Sequence, residues 1–443
     1  MRGAPERGSG GGRSGAAPGT FLGILAGKRI LLVVTGGIAA YKAACLARLL
    51  AKNGAEVKTV LTEAGARFVT PLTFEAATGG EAAVSMWDRA QTEIGHVAWA
   101  KWAELAVVAP ATADFCARLA AGRADDLASA VALAFSGPKI VCPAMNAGMY
   151  LNPATAANLA LLASRGLTVM ESPHGLLACG DEGPGRLPEP ADIAAEAARA
   201  LAPKLLSGKR VLVTSGATVE PWDDIRYLTN RSSGKTGAEI ARAAWLMGAR
   251  VELVSGPHAA GAGLESRDLL QTRIGSCAEL LEAVRAKIPQ ADALVMNAAP
   301  ADFRPKRQAP GKIRKSAGVP ELELEFAPDI LKSVSGLKPS GATWVGFAAE
   351  PERDLARALG KLREKSLDFI AVNRAGGPDS AFAGDFTSVT VLDGAGGRVL
   401  ETGPCAKFAA AWMLLEAVFG RPCAGRESLP AEEAADSPGK KGP

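Results

Sequence analysis

The chain is poor in the features that mark secreted, membrane-spanning or nucleic-acid-binding proteins. No apolar run approaches the roughly 20 residues needed to cross a bilayer. The start, rich in Gly, Ser and Arg, has no apolar segment of the kind a secretory signal requires. It predicts a disordered leader over 1–23, and a polar tail is expected over 423–443. A formal net charge of only +4 gives no electrostatic case for a nucleic-acid partner. The seven cysteines, odd in number and without a CxxC pair, argue against a disulfide framework and for a reducing cytoplasm. Cys45, Cys116 and Cys142 stand in apolar contexts that predict burial. Neither half carries GxGxxG between a strand and a helix, so a dinucleotide fingerprint is missing.

What the chain does have is 48% apolar residues and strand–helix alternation throughout. Its 443 residues predict two or three domains. Residues 30–34 form a short continuous apolar run, as a parallel strand buried on both faces requires, and a Gly turn and an apolar helix over 39–50 follow. Further strands are expected at 57–61, 105–109, 140–142 and 167–170, with helices at 112–121, 125–135 and 153–164. An Ala-rich helix over 191–206, ending at Ser207-Gly208, reads as a joint. The second half restarts with a strand at 210–214. Strands at 251–254, 293–296, 343–347, 369–372 and 389–392 follow, with helices at 237–246, 277–286 and 352–364. The expected fold class is α/β, two Rossmann-like doubly wound domains in tandem. The stretch 300–320 lacks periodicity and is rich in Pro, Lys and Arg; an irregular insertion of that length points to function.

In the first half, Thr35-Gly36-Gly37-Ile38 leaves a strand and opens a helix, and Ala111-Thr112 does the same farther on. Glycines at such a turn let backbone N–H groups approach an anion. Two such loops at strand carboxyl ends suit a flat cofactor with one phosphate, and flavin mononucleotide (FMN) fits. His96, one of three histidines, begins an apolar helix and can exchange a proton near neutral pH. Met145-Asn146 follows another strand, where the Asn amide can donate to a carboxylate. Cys179 lies in a Gly/Pro-rich loop, placed like a residue of a movable lid. The plain structural alternatives are a tight turn, a helix-end histidine, a core methionine and an ordinary free thiol.

In the second half, Gly234-Lys235-Thr236 looks like the end of a P-loop, but the Gly required five residues earlier is Thr229. A Walker-type site is therefore disfavoured. Ser232, Ser233 and Gly234 before a helix still suit a triphosphate, or simply cap the helix. Lys312 and Lys315, in the run KIRK, would neutralise phosphate charge, unless the run is only a solvated basic loop.

Taken in order, GGIAAYK, an isolated His, PAMNAGMY, ACGDEGPGR, TNRSSGKTG and KIRK carry a family resemblance. Residues 24–190 resemble the flavoprotein cysteine decarboxylase family, and 208–420 resemble phosphopantothenoylcysteine synthetase. Together they resemble the bacterial bifunctional coenzyme A biosynthesis family over nearly the whole chain apart from its ends. The resemblance implies a flavodoxin-like, FMN-dependent decarboxylase domain at 24–190, a linker helix at 191–208 and a ligase domain at 209–422.

It also implies roles. His96 matches the catalytic base and Cys179 the proton donor of the lid, while Asn146 matches the residue holding the cysteinyl carboxylate, beside Met145. Thr35, Gly36, Gly37, Ile38, Ala111 and Thr112 would contact FMN. Asn230 matches the residue that turns over an acyl-nucleotide, and Lys312 and Lys315 match two lysines of a KxKK run in which Arg314 replaces the third. Arg231, Ser232, Ser233, Gly234, Ala298 and Phe347 would line the substrate site, and Asp302 would hold Mg²⁺. The implied substrates are 4′-phosphopantothenate, cysteine and CTP, with no nucleic acid and no membrane. The implied assembly is a homo-oligomer of trimeric decarboxylase and dimeric ligase units. The chain departs from the family pattern at Glu104 (for Asp), Asp114 (for Asn) and Pro300 (for Val). Two other classes stand beside this reading. A flavoprotein that only binds is disfavoured by His96 with Cys179, and a nicotinamide oxidoreductase by the missing fingerprint.

Overall fold

The computed structural model describes residues 18–87, 95–263, 266–350, 354–374 and 384–420. In the front domain, β1 (Arg29–Val34), β2 (Glu56–Leu61), β3 (Ala82–Ala83), β4 (Leu105–Ala111), β5 (Lys139–Pro143) and β6 (Thr168–Val169) form one parallel sheet, ordered β3-β2-β1-β4-β5-β6. Because side chains alternate along a strand, the apolar run of β1 serves two cores. Ile30, Leu32 and Val34 enter one, Leu31 and Val33 the other. Helices α1 (Ala40–Lys52), α2 (Pro71–Thr78), α3 (Gly95–Trp102), α4 (Ala113–Ala121), α5 (Leu127–Ala134), α6 (Pro153–Ser164) and α7 (Pro190–Leu201) supply the rest of these cores.

The rear domain repeats the plan. Strands β7 (Arg210–Ser215), β8 (Arg250–Ser255), β9 (Leu269–Arg273), β10 (Ala293–Met296), β11 (Thr343–Glu350), β12 (Phe369–Arg374), β13 (Val389–Asp393) and β14 (Arg398–Glu401) form the sheet β9-β8-β7-β10-β11-β12-β13-β14. Only β13 runs against the others, pairing antiparallel with β12 and β14; every other pairing is parallel. Its longer helices are α8 (Lys235–Leu246), α9 (Cys277–Lys287), α10 (Leu355–Glu364) and α11 (Lys407–Phe419). In each sheet the strand order reverses beside the first strand, between β1 and β4 and between β7 and β10. The crevice at the carboxyl ends there is where this architecture holds ligands.

Several expectations are corrected. The joint helix stops at Leu201 instead of continuing to Leu206: Ala202 precedes Pro203, which excludes helical backbone, and Ala202 is extended at φ −71°, ψ 149°. Nor does α7 hang free as a linker. It buries Ile193, Ala194, Ala197 and Ala198 in a core that continues into Ile240 and Trp245 of the rear domain. The leader is shorter than expected, since the Phe21–Leu25 turn packs on the front core through Leu25. Residues 1–17 and the tail 423–443 lie outside the described residues. Cys45 is exposed, because α1 turns the Ala43, Leu46, Ala47 and Leu50 stripe inward instead. Within 300–320, Phe303–Pro305 pairs antiparallel with Leu324–Phe326. Helix α10 begins at Leu355, capped by Asp354; residues 352–353 lie outside the described residues. Helices α2 and α11 were not foreseen, and α11 is buried nearly all round, so it has no polar stripe to betray its period.

Candidate active sites

In the front domain the two predicted loops meet at the switch point. Thr35 is buried, its hydroxyl donates to the Pro110 carbonyl at 2.7 Å, and its Oγ1 accepts the Thr112 amide at 3.0 Å. Thr112 caps α4 by accepting from the Phe115 amide. Gly36 has no room for a side chain, since a Cβ would lie 2.4 Å from the Ala64 Cβ. Among the described residues, the amides of Gly36, Gly37, Ile38 and Ala39 donate to no protein group. Four unpaired N–H groups before a 13-residue helix, next to the Thr112 hydroxyl, fit the phosphate of FMN.

A second cluster forms beside β5. Asn146 accepts the Gly148 amide through Oδ1 at 2.8 Å. Its Nδ2 donates to Cys179 Sγ at 3.2 Å and to Asp181 Oδ2 at 3.1 Å. Cys179 Sγ also donates to Asp181 Oδ2 at 3.3 Å. A short flap, Gly175–Leu176 paired with Glu182–Gly183, presents the thiol at its tip. Its base is tied to the Asn146 loop by the Met145 amide donating to Gly185 at 2.9 Å. The structure brings Asn146, predicted for the substrate carboxylate, against Cys179, predicted for the lid, and Asp181 joins them unforeseen.

His96 stands half-buried in the first turn of α3. Among the described residues no hydrogen bond links it to either cluster. The family departures have local partners. Glu104 accepts from Lys28 at 3.2 Å and from the Arg29 amide at 3.1 Å, at the amino end of the sheet and away from the crevice. The charge of Asp114 is met by Arg118 at 2.9 Å.

The rear site is a cavity of about 160 Å³ lined by Ser232, Ser233, Gly234, Ala298 and Phe347, all named above for the substrate site, and by Lys235, Thr236, Asn297, Ala299, Ala349 and Asn373. Gly234 takes a left-handed φ of +71° at the N-cap of α8, and its carbonyl accepts from Ser215 Oγ at 2.8 Å. Asn230 reaches over the rim, donating from Nδ2 to the carbonyls of Ala299 (3.2 Å) and Pro300 (2.9 Å). Because Pro300 takes part through its carbonyl, its departure from Val leaves this contact intact. Arg231, Asp302, Lys312 and Lys315 do not line the cavity; all four are exposed. Two lining residues assigned no role from the sequence carry polarity. Lys235 binds Asp385 at 2.6 Å, which holds that carboxyl below its usual range. Asn373 is 94% buried, and among the described residues its Oδ1 has no hydrogen-bond partner. A larger cavity, about 1140 Å³, opens between the domains around Glu196, Arg199 and Asp268. It touches none of the predicted residues and lies away from both switch points, so the smaller cleft is the better candidate.

Burial separates the thiols. It pushes Cys116 up to about 12 and Cys277 to about 11, and Cys142 is raised still further. Iodoacetamide at about pH 8 should therefore label Cys179 and Cys45 and spare those three until the protein is unfolded, because the thiolate is the reacting form. Peptide mass spectrometry reads this directly. Labelling of Cys116 in the native protein would contradict it.

The family model described as "Flavoprotein" matches residues 23–201, and "DNA/pantothenate metabolism flavoprotein C-terminal domain" matches 206–420. The coenzyme A biosynthesis bifunctional protein CoaBC of Vibrio parahaemolyticus is 42% identical over 373 residues, covering 83% of this chain and 92% of its own length. That of Escherichia coli K12 is 41% identical over 382 residues (85% and 93%), and that of Bacillus subtilis 39% over 373 (83% and 91%). Among solved structures, the C-terminal domain of a CoaBC protein covers 49% of this chain and 97% of its own at 33% identity, with a TM-score of 0.41.

Proposed function

The chain belongs to the family of coenzyme A biosynthesis bifunctional proteins, and from that membership we propose how its two sites divide the work. It is a two-domain enzyme of coenzyme A biosynthesis, with a flavoprotein decarboxylase half and a ligase half. The ligase half joins 4′-phosphopantothenate to cysteine, using CTP. The decarboxylase half converts the product to 4′-phosphopantetheine. The observation that carries this reading is the Asn146–Cys179 contact beneath a flap, in the same chain as the cleft behind Ser232–Gly234.

In the front half, the amides at 36–39 and the Thr112 hydroxyl hold the FMN phosphate. Bound FMN supplies reversible oxidation of the substrate thiol, which gives the carbanion left by CO₂ somewhere to delocalise. Asn146 orients the cysteinyl carboxylate through Nδ2. His96 accepts a proton and Cys179 returns one. In the rear half, the 4′-phosphopantothenate carboxylate attacks the α-phosphate of CTP and pyrophosphate leaves. The amine of cysteine then attacks the acyl-cytidylate, forming the amide and releasing CMP. Lys235, Lys312 and Lys315 offset phosphate charge as it develops. Asn230 stands by the acyl group and Phe347 by the base. Mg²⁺ usually binds through one or two carboxylates plus substrate phosphates, and Asp302 offers one. Among the described residues no cluster of three His, Cys, Asp or Glu could hold a metal without the nucleotide.

A homo-oligomer is supported by exposed apolar side chains. Phe303 (50% exposed) and Phe326 (81%) lie against each other on one hairpin of the ligase half, suiting a dimer. No described helix is long and apolar enough to cross a membrane. The free thiols support a reducing compartment, the cytoplasm. Mass spectrometry of products from 4′-phosphopantothenate, cysteine, CTP and Mg²⁺ tests the whole reading. A product lighter than the amide by one CO₂ is expected. Amide alone would indict the front site, and no amide the rear.

A further inference from the structure

The basic stretch that carries Lys312 and Lys315 is not a free loop. Its root is held by Asp223, in the turn of the hairpin formed by Val219–Pro221 and Tyr227–Thr229. The side chain of Asp223 is fully buried, and its two oxygens have different tasks. Oδ1 accepts from the amides of Ile225 (2.8 Å) and Arg226 (2.6 Å), closing the turn. Oδ2 accepts from the Arg226 guanidinium at 3.0 Å and, 90 residues along the chain, from the Ile313 amide at 3.2 Å. Arg226 in turn donates to the Ile313 carbonyl, at 3.4 Å from each terminal nitrogen.

The residue after Lys312 is thus gripped at both backbone groups by an ion pair. Asp224 adds to the grip, accepting the Gly311 amide at 3.1 Å, and the Ala309 amide donates to Trp222 at 2.9 Å. Burial pushes the Asp223 carboxyl up, but the three amides and the Arg226 charge together hold it below the usual range, so it stays ionised. The far end of the same hairpin is Thr229, and the next residue is Asn230, whose amide rests on the rim of the nucleotide cleft. One ribbon therefore carries Asn230 at its end and the lysine-bearing loop at its turn.

We propose that Asp223 is a positioning residue of the ligase half, which fixes the Lys312–Lys315 loop relative to Asn230 by holding the Ile313 amide. The proposal rests on the reading that these lysines serve the ligase. Closing the turn needs only Oδ1; the second oxygen is committed to the loop.

Asp223→Asn separates the two tasks. It keeps the volume and one acceptor for the turn, and puts an NH₂ donor where the Ile313 amide needs an acceptor. Misplacing catalytic groups by about an ångström can cost about 100-fold, so the ligase kcat should fall by roughly 10- to 100-fold. Decarboxylation of supplied phosphopantothenoylcysteine should be unchanged. Trypsin should cut after Lys312, Arg314 or Lys315 faster than in the parent. In a Lys312→Ala background, Asp223→Asn should add little further loss, since both act through one loop. Parental ligation and parental trypsin resistance in Asp223→Asn would overturn the proposal, as would a full multiplicative loss in the Lys312→Ala background. A defect in Lys312→Ala with none in Asp223→Asn overturns the proposal alone. Parental ligation by Lys312→Ala with Lys315→Ala fails the underlying reading, and the proposal falls with it. If Asp223→Asn does not fold, Ile313→Pro removes the same hydrogen bond from the loop side. It must give the same ligase-only loss, and parental ligation by it would overturn the proposal.

Discussion

Asn146→Asp should cut decarboxylation by about 100- to 1000-fold in kcat/KM and leave amide formation intact. The change is nearly isosteric and spares the local fold, because Oδ1 still accepts the Gly148 amide that starts the next turn. What it removes is the donor. Nδ2 lies 3.1 Å from Asp181 Oδ2 and 3.2 Å from Cys179 Sγ. An oxygen there faces one carboxylate in the flap and a second in the substrate. A hydrogen bond to a charged group contributes about 1.5–3 kcal/mol. Two unit charges 4 Å apart repel by about 1 kcal/mol in water and about 4 kcal/mol at the effective dielectric of a protein surface. The site is open, so the lower part of that range applies. Together these amount to roughly 3–4 kcal/mol, or two to three decades in rate. Assays with supplied phosphopantothenoylcysteine isolate the front half. Decarboxylation at the parental rate would remove Asn146 from the site.

The sequence discloses the parts of these sites that are local and hides the parts made by distant segments meeting. β1 is readable because a short, unbroken apolar run fits little except a strand buried on both faces. Thr35–Ile38 is readable because a strand, a Gly pair and a helix follow each other in the chain. The flap is readable through its glycines and prolines. Asp181 is within view, two residues beyond Cys179, but its role depends on Asn146, 35 residues away. Asn373 stands near the end of an apolar strand and gives no local hint that its amide is buried against the rear cleft. Lys235 and Asp385 meet across 150 residues, and Asp223 reads as an ordinary turn residue until Ile313 is brought to it. The misreading of Cys45 has the opposite cause. Its neighbours are apolar in sequence, and only the helical stripe shows which of them turn inward.

Gly234→Ala should lower the ligase kcat/KM by roughly 100-fold and leave the front half untouched. Two costs coincide at this position. The backbone holds φ at +71°, a left-handed conformation that costs a residue with a Cβ about 1–2 kcal/mol. There is also no space: the added Cβ would lie 2.6 Å from the Ala259 Cβ and 2.9 Å from Ser215 Oγ. Neither neighbour yields easily. Ser215 ends β7 and donates to the Gly234 carbonyl, and Ala259 lies in a loop whose next amide, Ala260, donates to Ser233. The turn must therefore move away from both, carrying with it the amides before α8 that the proposed function assigns to the triphosphate. Gly208→Ala separates strain from displacement. Its φ is +75°, and nothing lies within 4 Å of the added Cβ, far from either cleft. It should lose about 1 kcal/mol of stability in urea unfolding and keep full ligase activity. If Gly234→Ala ligates at the parental rate while Gly208→Ala shows its stability loss, the Ser232–Gly234 turn does not hold the triphosphate, and the nucleotide must bind against Phe347 and Asn373 by another route.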